Sequence, residues 1–355
     1  MNTQEKCIIL LLLLISFSTS FSQQNKTLDA QNSLVDLFES EEILPIKLAY
    51  SMKEIRTKTN DSTYIKTDLF YRLDDGEWRS LEVKLRGRGN NRRKTCFFTP
   101  IKVKISKTER KGTPFEAHKK LKLVLPCLIQ AENDDKLLRE YLAYKLYEEV
   151  GTYYYKTRLL DIDYTDIRGK RNKSFQLKGF FQEDIDKIAK RAGGKELKNR
   201  KVHPLQQDDH ASIQNDILQY MIGNTDFSNA YQHNTKLIFT SEKKTVPIPY
   251  DFDLSGLVNA SYAVVSEVGN QSLPITHVTE RLYRGYKRNV QLLKQVRQEY
   301  LGRQGQMMAE VDNLKPLFEN IREYQEARDY LSSFFIILAN QEKFKKEIEN
   351  RARTK

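Results

Sequence analysis

The chain has 355 residues, of which 39% are hydrophobic and 30% charged, enough apolar material for a sizeable core and too much for a disordered polyelectrolyte. Its formal net charge of +12 gives a positive field suited to nucleotides, acidic polymers or an anionic envelope surface. No aromatic-interleaved strand, zinc spacing or helix-turn-helix accompanies that charge, which speaks against a nucleic-acid partner.

In chain order, residues 1–22 carry Lys6, an apolar run from Cys7 to Phe17 and a small-residue tail ending at Ser22. The run is short for a bilayer span and reads as a cleavable secretory signal, with an uncleaved anchor as the alternative. The mature chain then has no membrane-spanning segment and is exported, periplasmic or extracellular. Residues 23–40 read as a flexible mature N-terminus. Cys96 and Cys127 remain after cleavage, free to pair in an oxidising compartment or to stay as buried thiols.

From Ile43 the pattern turns to strands. Leu44 to Tyr50 and Thr63 to Tyr71 alternate, and Asp74-Asp75-Gly76-Glu77 is a hairpin turn before Trp78 to Leu85. Arg86-Gly87-Arg88-Gly89 follows, a turn whose glycines let backbone and cationic side chains approach an anion. The next strand, Pro100 to Ile105, puts its aliphatic residues on one face and Lys102 and Lys104 on the other. Lys120 to Leu125 is a further strand. A helix capped near Asn133-Asp134-Asp135 runs to Val150, with Leu138, Tyr141, Leu142 and Leu146 as its stripe. Glu140 lies opposite the stripe and Glu149 along it. Two strands, Thr157 to Tyr164 and Phe175 to Phe181, lead into Gly179 to Lys187. Asp208-Asp209 open a helix to Met221, and the chain is helical again from Glu280. Strands before Phe181 and helices after Asp208 predict an α+β protein with two lobes, a strand-rich N-terminal lobe at 41–181 and a helical C-terminal lobe at 182–355.

The densest chemistry lies between Gly223 and Asp253. Asn224-Thr-Asp226 is followed by Asn229 and Asn234, then a strand, a polar turn and Tyr250-Asp251-Phe252-Asp253. Two acidic centres held apart by amides and a hairpin suit phosphoryl transfer, in which one carboxylate orients the attacking hydroxyl and the other helps an amide oxygen to hold Mg²⁺. The plainer reading is that these residues cap a loop and decorate a strand end. A metal hydrolase is disfavoured because the five histidines are scattered and form no ligand pair.

These blocks resemble the spore-coat CotH family of atypical protein kinases and, more distantly, HipA-type kinases. The matching residues are Asn224, Asp226, Asn229 or Asn234, and Tyr250-Asp251-Phe252-Asp253, with Tyr250 where the family usually has Trp. Upstream, Arg86-Gly-Arg88-Gly-Asn90 runs into the lysine strand, Asp134 to Arg139 matches the helix entry, and Gly179, Glu183, Ile185, Asp186 and Lys187 match the segment that lines the adenine pocket. The resemblance covers roughly residues 80–260 in order. It implies a two-lobed atypical protein-kinase-like fold that transfers the γ-phosphate of ATP to Ser/Thr hydroxyls of a protein. Asp226 would be catalytic, Arg88, Lys102 or Lys104, and Glu183 would bind the nucleotide, and Asn229 or Asn234 with Asp251 and Asp253 would hold Mg²⁺ or Mn²⁺. The competing reading is a non-catalytic module that docks on an acidic envelope polymer.

Overall fold

The alternating segments form strands that enclose their own core. In the computed structural model, which describes residues 35–89, 92–129, 132–268 and 271–354, seven strands are joined in the order β1-β2-β3-β4-β5-β7-β6. They are β1 Leu44–Tyr50, β2 Ile65–Arg72, β3 Trp78–Gly87, β4 Ile101–Ile105, β5 Lys120–Val124, β6 Thr157–Asp166 and β7 Lys173–Glu183. Neighbours are antiparallel except β1 and β6, which run parallel from Leu44 opposite Leu160 to Tyr50 opposite Asp166 and close the barrel. The inward set includes Ile46, Leu48, Leu69, Val83, Leu85, Val103, Leu123 and Ile162, all buried. The expected leader at 1–22 and most of the N-terminal segment 23–40 lie outside the described residues.

The expected two-lobed, kinase-like fold is therefore corrected: the molecule is a closed seven-stranded mixed β-barrel with helices attached. Pairing the first strand with the sixth removes both sheet edges, so no open N-terminal sheet forms. Nor does the helix Glu132–Glu148 belong to a separate strand-rich lobe. Its Leu138, Leu142 and Leu146 share one core with Ile213 and Ile217 of the helix Asp209–Met221 and with Leu331 and Phe334 of the helix Ile321–Ala339. Among the described residues no helix is long and apolar enough to cross a membrane.

Cys96 and Cys127 form a disulfide that ties the short helix Arg92–Thr95 to the segment leaving β5. Phe97 N–H also donates to the Cys127 carbonyl at 2.8 Å, so two links hold the same junction. The cysteines are 31 residues apart, and closing a loop of that size stabilises by roughly 4 kcal/mol. Replacing both by serine is expected to lower the thermal midpoint by several degrees; an unchanged midpoint in calorimetry would contradict this.

The helix Asp209–Met221 runs through the centre of the helical part, with every residue from Ala211 to Met221 buried. Asp208 caps it by accepting from Ala211 N–H at 2.9 Å. Helical structure was expected from Glu280, but the helix Val290–Gly302 starts ten residues later. Side-chain bonds explain the delay: Arg281 Nε donates to the Met221 carbonyl at 3.0 Å and Arg284 Nη1 to the Phe227 carbonyl at 3.2 Å. This extended segment straps down the loop that leaves the central helix.

Asp216, inside that helix, is fully buried. Burial raises its carboxyl pKa to about 6 against the pull of Arg288, Arg353 and Arg284. A folded pKa above the unfolded value means that this group's contribution is complete below about 4 and is lost as pH rises through about 6. Asp216→Asn is therefore expected to weaken the fall in stability between pH 4 and pH 7 by up to about 3 kcal/mol. Identical pH profiles of urea unfolding for the two proteins would disprove it.

Candidate functional site

The loop after the central helix is built by its own amides. Gly223 has φ +64°, and a Cβ there would collide with the Tyr330 hydroxyl, so glycine is required at this turn. Asn224 donates to Gln219 Oε1 at 2.8 Å and accepts from Asp226 N–H at 2.9 Å. Ser228 and His233 exchange both backbone bonds, at 2.9 and 3.1 Å, and pinch the loop shut. Gln232 and Asn234 on either side of His233 both have positive φ.

That geometry fixes Asp226. Its Oδ2 accepts from Asn234 Nδ2 at 2.9 Å, and its Oδ1 lies 2.9 Å from His233 Nε2. The bond to Asp226 raises the pKa of His233, whose ring remains largely exposed. Asn229 is held elsewhere: its Oδ1 accepts from Asn215 and Thr235 at 3.0 and 3.1 Å in a buried network.

The strands Thr235–Phe239 and Thr245–Pro249 form the expected hairpin and deliver the second acidic centre. Asp251 has φ +66°, a costly conformation for a residue with a side chain, and its N–H donates to the Tyr144 hydroxyl at 2.9 Å. Phe252 packs on the Tyr144 ring, and Asp253 accepts from Tyr262 at 3.2 Å. Between the acids lies Arg92. Its Nη1 is 3.3 Å from Asp251 Oδ1, its Nε 3.4 Å from Asp253 Oδ2 and its Nη2 3.5 Å from Glu140 Oε2. Burial pushes the Asp251 carboxyl up, but Arg92, Arg88 and Lys122 more than offset it and leave the pKa lowered. For Glu140 and Asp253 burial prevails over Arg92, and both are raised.

A divalent ion needs oxygens within about 2.0–2.6 Å of one point. Here each carboxylate faces a different nitrogen of a planar fork, and the oxygen of Asn229 is already engaged. Among the described residues, no group of three or more His, Cys, Asp or Glu side chains is placed to hold a metal ion. As arranged, Asn229, Asn234, Asp251 and Asp253 do not fit Mg²⁺ or Mn²⁺.

Beside this cluster opens a cleft of about 670 Å³, lined by eight basic side chains and four acidic ones. Lys102, opposite Lys122 in the β4–β5 register, reaches into it 3.8 Å from Asp184. Lys104 instead lies 5.8 Å from the centre of the Tyr64 ring and is not among the lining residues. Glu183 is buried, accepting from Lys156 N–H at 2.7 Å and paired with Arg191 at 2.6 Å. Arg88 bears electrostatically on Asp251, Glu140 and Lys122.

The residue that sequence reasoning missed is Lys122. Its ammonium is buried without a hydrogen-bond partner, 4.3 Å from the centre of the Tyr250 ring and 4.7 Å from that of Tyr155. Burial, and next the Arg88 charge, push its pKa well below the usual lysine range. A cation so placed is unsatisfied until an anion enters the cleft. Comparison with known proteins found no family model that matches the chain and no curated protein or solved structure similar to it.

Proposed function

We propose that the chain is an exported phosphoryl-transfer enzyme that takes the phosphates of ATP into the basic cleft and passes the γ-phosphoryl group to a protein hydroxyl. The observation that carries this reading is Lys122, a buried cation without a partner, electrostatically coupled to Asp251 and lining a cleft with an excess of basic groups. Lys122, Lys102 and Arg88 would neutralise the phosphate oxygens, whose negative charge is the chief obstacle to attack. The acceptor oxygen would attack the γ-phosphorus while the bond to the β-phosphate oxygen breaks and ADP leaves with the electron pair. The hydroxyl proton would pass to Asp226, whose carboxylate keeps lone pairs beyond those used by His233 and Asn234. The resemblance of these blocks to CotH-type kinases points to the same chemistry, and the disulfide supports an oxidising, exported location.

The excess of basic groups also favours a second reading, a module that binds an acidic envelope polymer without catalysis. Thermal shift with ATP, adenosine and polyglutamate separates them. The kinase reading expects stabilisation by ATP but not adenosine, and transfer of label from γ-labelled ATP to a Ser/Thr-rich protein. Stabilisation by polyglutamate alone, with no transfer of label, would replace it with the binding-module reading.

A further inference from the structure

We propose that Arg92 is the resident cation of the site: it holds Asp251, Asp253 and Glu140 in a cage shaped for a guanidinium and occupies the place that a divalent metal fills in other phosphoryl-transfer centres. The inference deepens the phosphoryl-transfer reading, although its first two measurements need no nucleotide.

The cage is built on both sides. Arg92 is 11% exposed in its side chain, Asp253 7% and Glu140 3%, so the ion pairs are largely shielded from water. Nη1 donates to Asp251 at 3.3 Å and Nη2 to Glu140 at 3.5 Å, while Nε stands 3.4 Å from Asp253 without a hydrogen bond, so one planar cation faces three acids at once. The backbone of Arg92 is anchored as well, since its carbonyl accepts from Cys96 N–H at 2.9 Å and Cys96 is tied to Cys127. On the other side, the strained backbone of Asp251 and the Tyr262 hydroxyl on Asp253 aim the two carboxylates. Glu140 Oε1 is buried and has no hydrogen-bond partner, and its Oε2 meets Arg92 across the cage. An ordinary surface arginine would have none of these features.

Two consequences follow. First, the positive charge at the site does not depend on metal supply, because guanidinium stays protonated at any physiological pH. Second, the cage is selective by shape.

The test uses the full mature chain. Mn²⁺ binding, followed by water-proton relaxation, is expected to be equally weak in the wild type and in Asp251→Asn and Asp253→Asn. Arg92→Ala is expected to have a lower thermal midpoint that methylguanidinium restores and that Mn²⁺ and methylammonium do not. Should Arg92→Ala fail to fold, Arg92→Lys serves instead: it keeps the charge but not the fork, and a lowered midpoint is expected. ATP binding to the wild type is expected to differ by less than about twofold between EDTA and Mn²⁺. A Mn²⁺ site in the wild type that Asp251→Asn removes would overturn the proposal, as would rescue of Arg92→Ala by Mn²⁺ and not by methylguanidinium. ATP that binds under neither condition would count against the phosphoryl-transfer reading alone, because the relaxation and rescue measurements stand without it.

Discussion

Lys122→Met is expected to weaken ATP binding by more than about thirtyfold while raising the thermal stability of the protein. Both effects have one cause. The Lys122 ammonium sits without a hydrogen bond between Tyr155 and Tyr250, and burial holds its pKa far below the ordinary range. An unpaired buried charge opposes folding, so an apolar side chain of similar length removes a penalty of about 1–3 kcal/mol. When a triphosphate enters, the same group becomes a partner in a charge-assisted contact within a low-dielectric cleft, and losing that contact costs about 2–5 kcal/mol, or more than thirtyfold in affinity. Lys104→Met is the control, since that lysine is not part of the cleft lining. Unchanged ATP affinity in Lys122→Met would sink the assignment, whatever happens to stability.

Much of the local structure was legible in the residues. The hairpin between Thr235 and Pro249, the cap at Asp208 and the strand alternation from Leu44 to Phe181 all follow from period and turn chemistry. What could not be read was which segments meet. Alternation puts Lys120 and Lys122 on one face of their strand, but does not show that Tyr155 and Tyr250, from distant segments, come to flank the Lys122 ammonium. Closure of the barrel depends on the parallel pairing of β1 with β6, separated by more than a hundred residues, and no local pattern encodes it. Glu140 was legible as polar and opposite the apolar stripe, but not as the buried partner of Arg92. Arg92 itself stands in sequence as one member of the basic run Arg92-Arg93-Lys94. The signal nearest to it in sequence was Cys96, since a disulfide restrains the backbone close by. In the same way the short-range bonds around Asp226 were foreshadowed by a density of Asn unusual for one loop, whereas the straps from Arg281 and Arg284 were not.

Asp226→Asn is expected to leave ATP affinity within about twofold and to lower the rate of phosphoryl transfer by about 10²–10⁴. The separation rests on position. Asp226 stands in the amide-built loop with His233 and Asn234, whereas the cationic groups proposed to hold the phosphates, Lys122, Lys102 and Arg88, belong to the barrel strands and the turn after β3. A carboxylate that takes up the hydroxyl proton acts when the new bond forms, so its loss appears in turnover and not in ground-state binding. The substitution preserves shape but replaces an acceptor oxygen with a donor, and that donor must face either Asn234 Nδ2 or His233 Nε2. Asn→Asp reversal at the partner tests whether this mismatch, instead of lost proton transfer, is responsible: Asp226→Asn combined with Asn234→Asp returns a carboxylate to the loop but not to the catalytic position, and it should remain slow. Transfer of label by Asp226→Asn at the wild-type rate would remove Asp226 from the mechanism. Recovery of that rate in the double variant would make it a scaffold for the loop and not the proton acceptor.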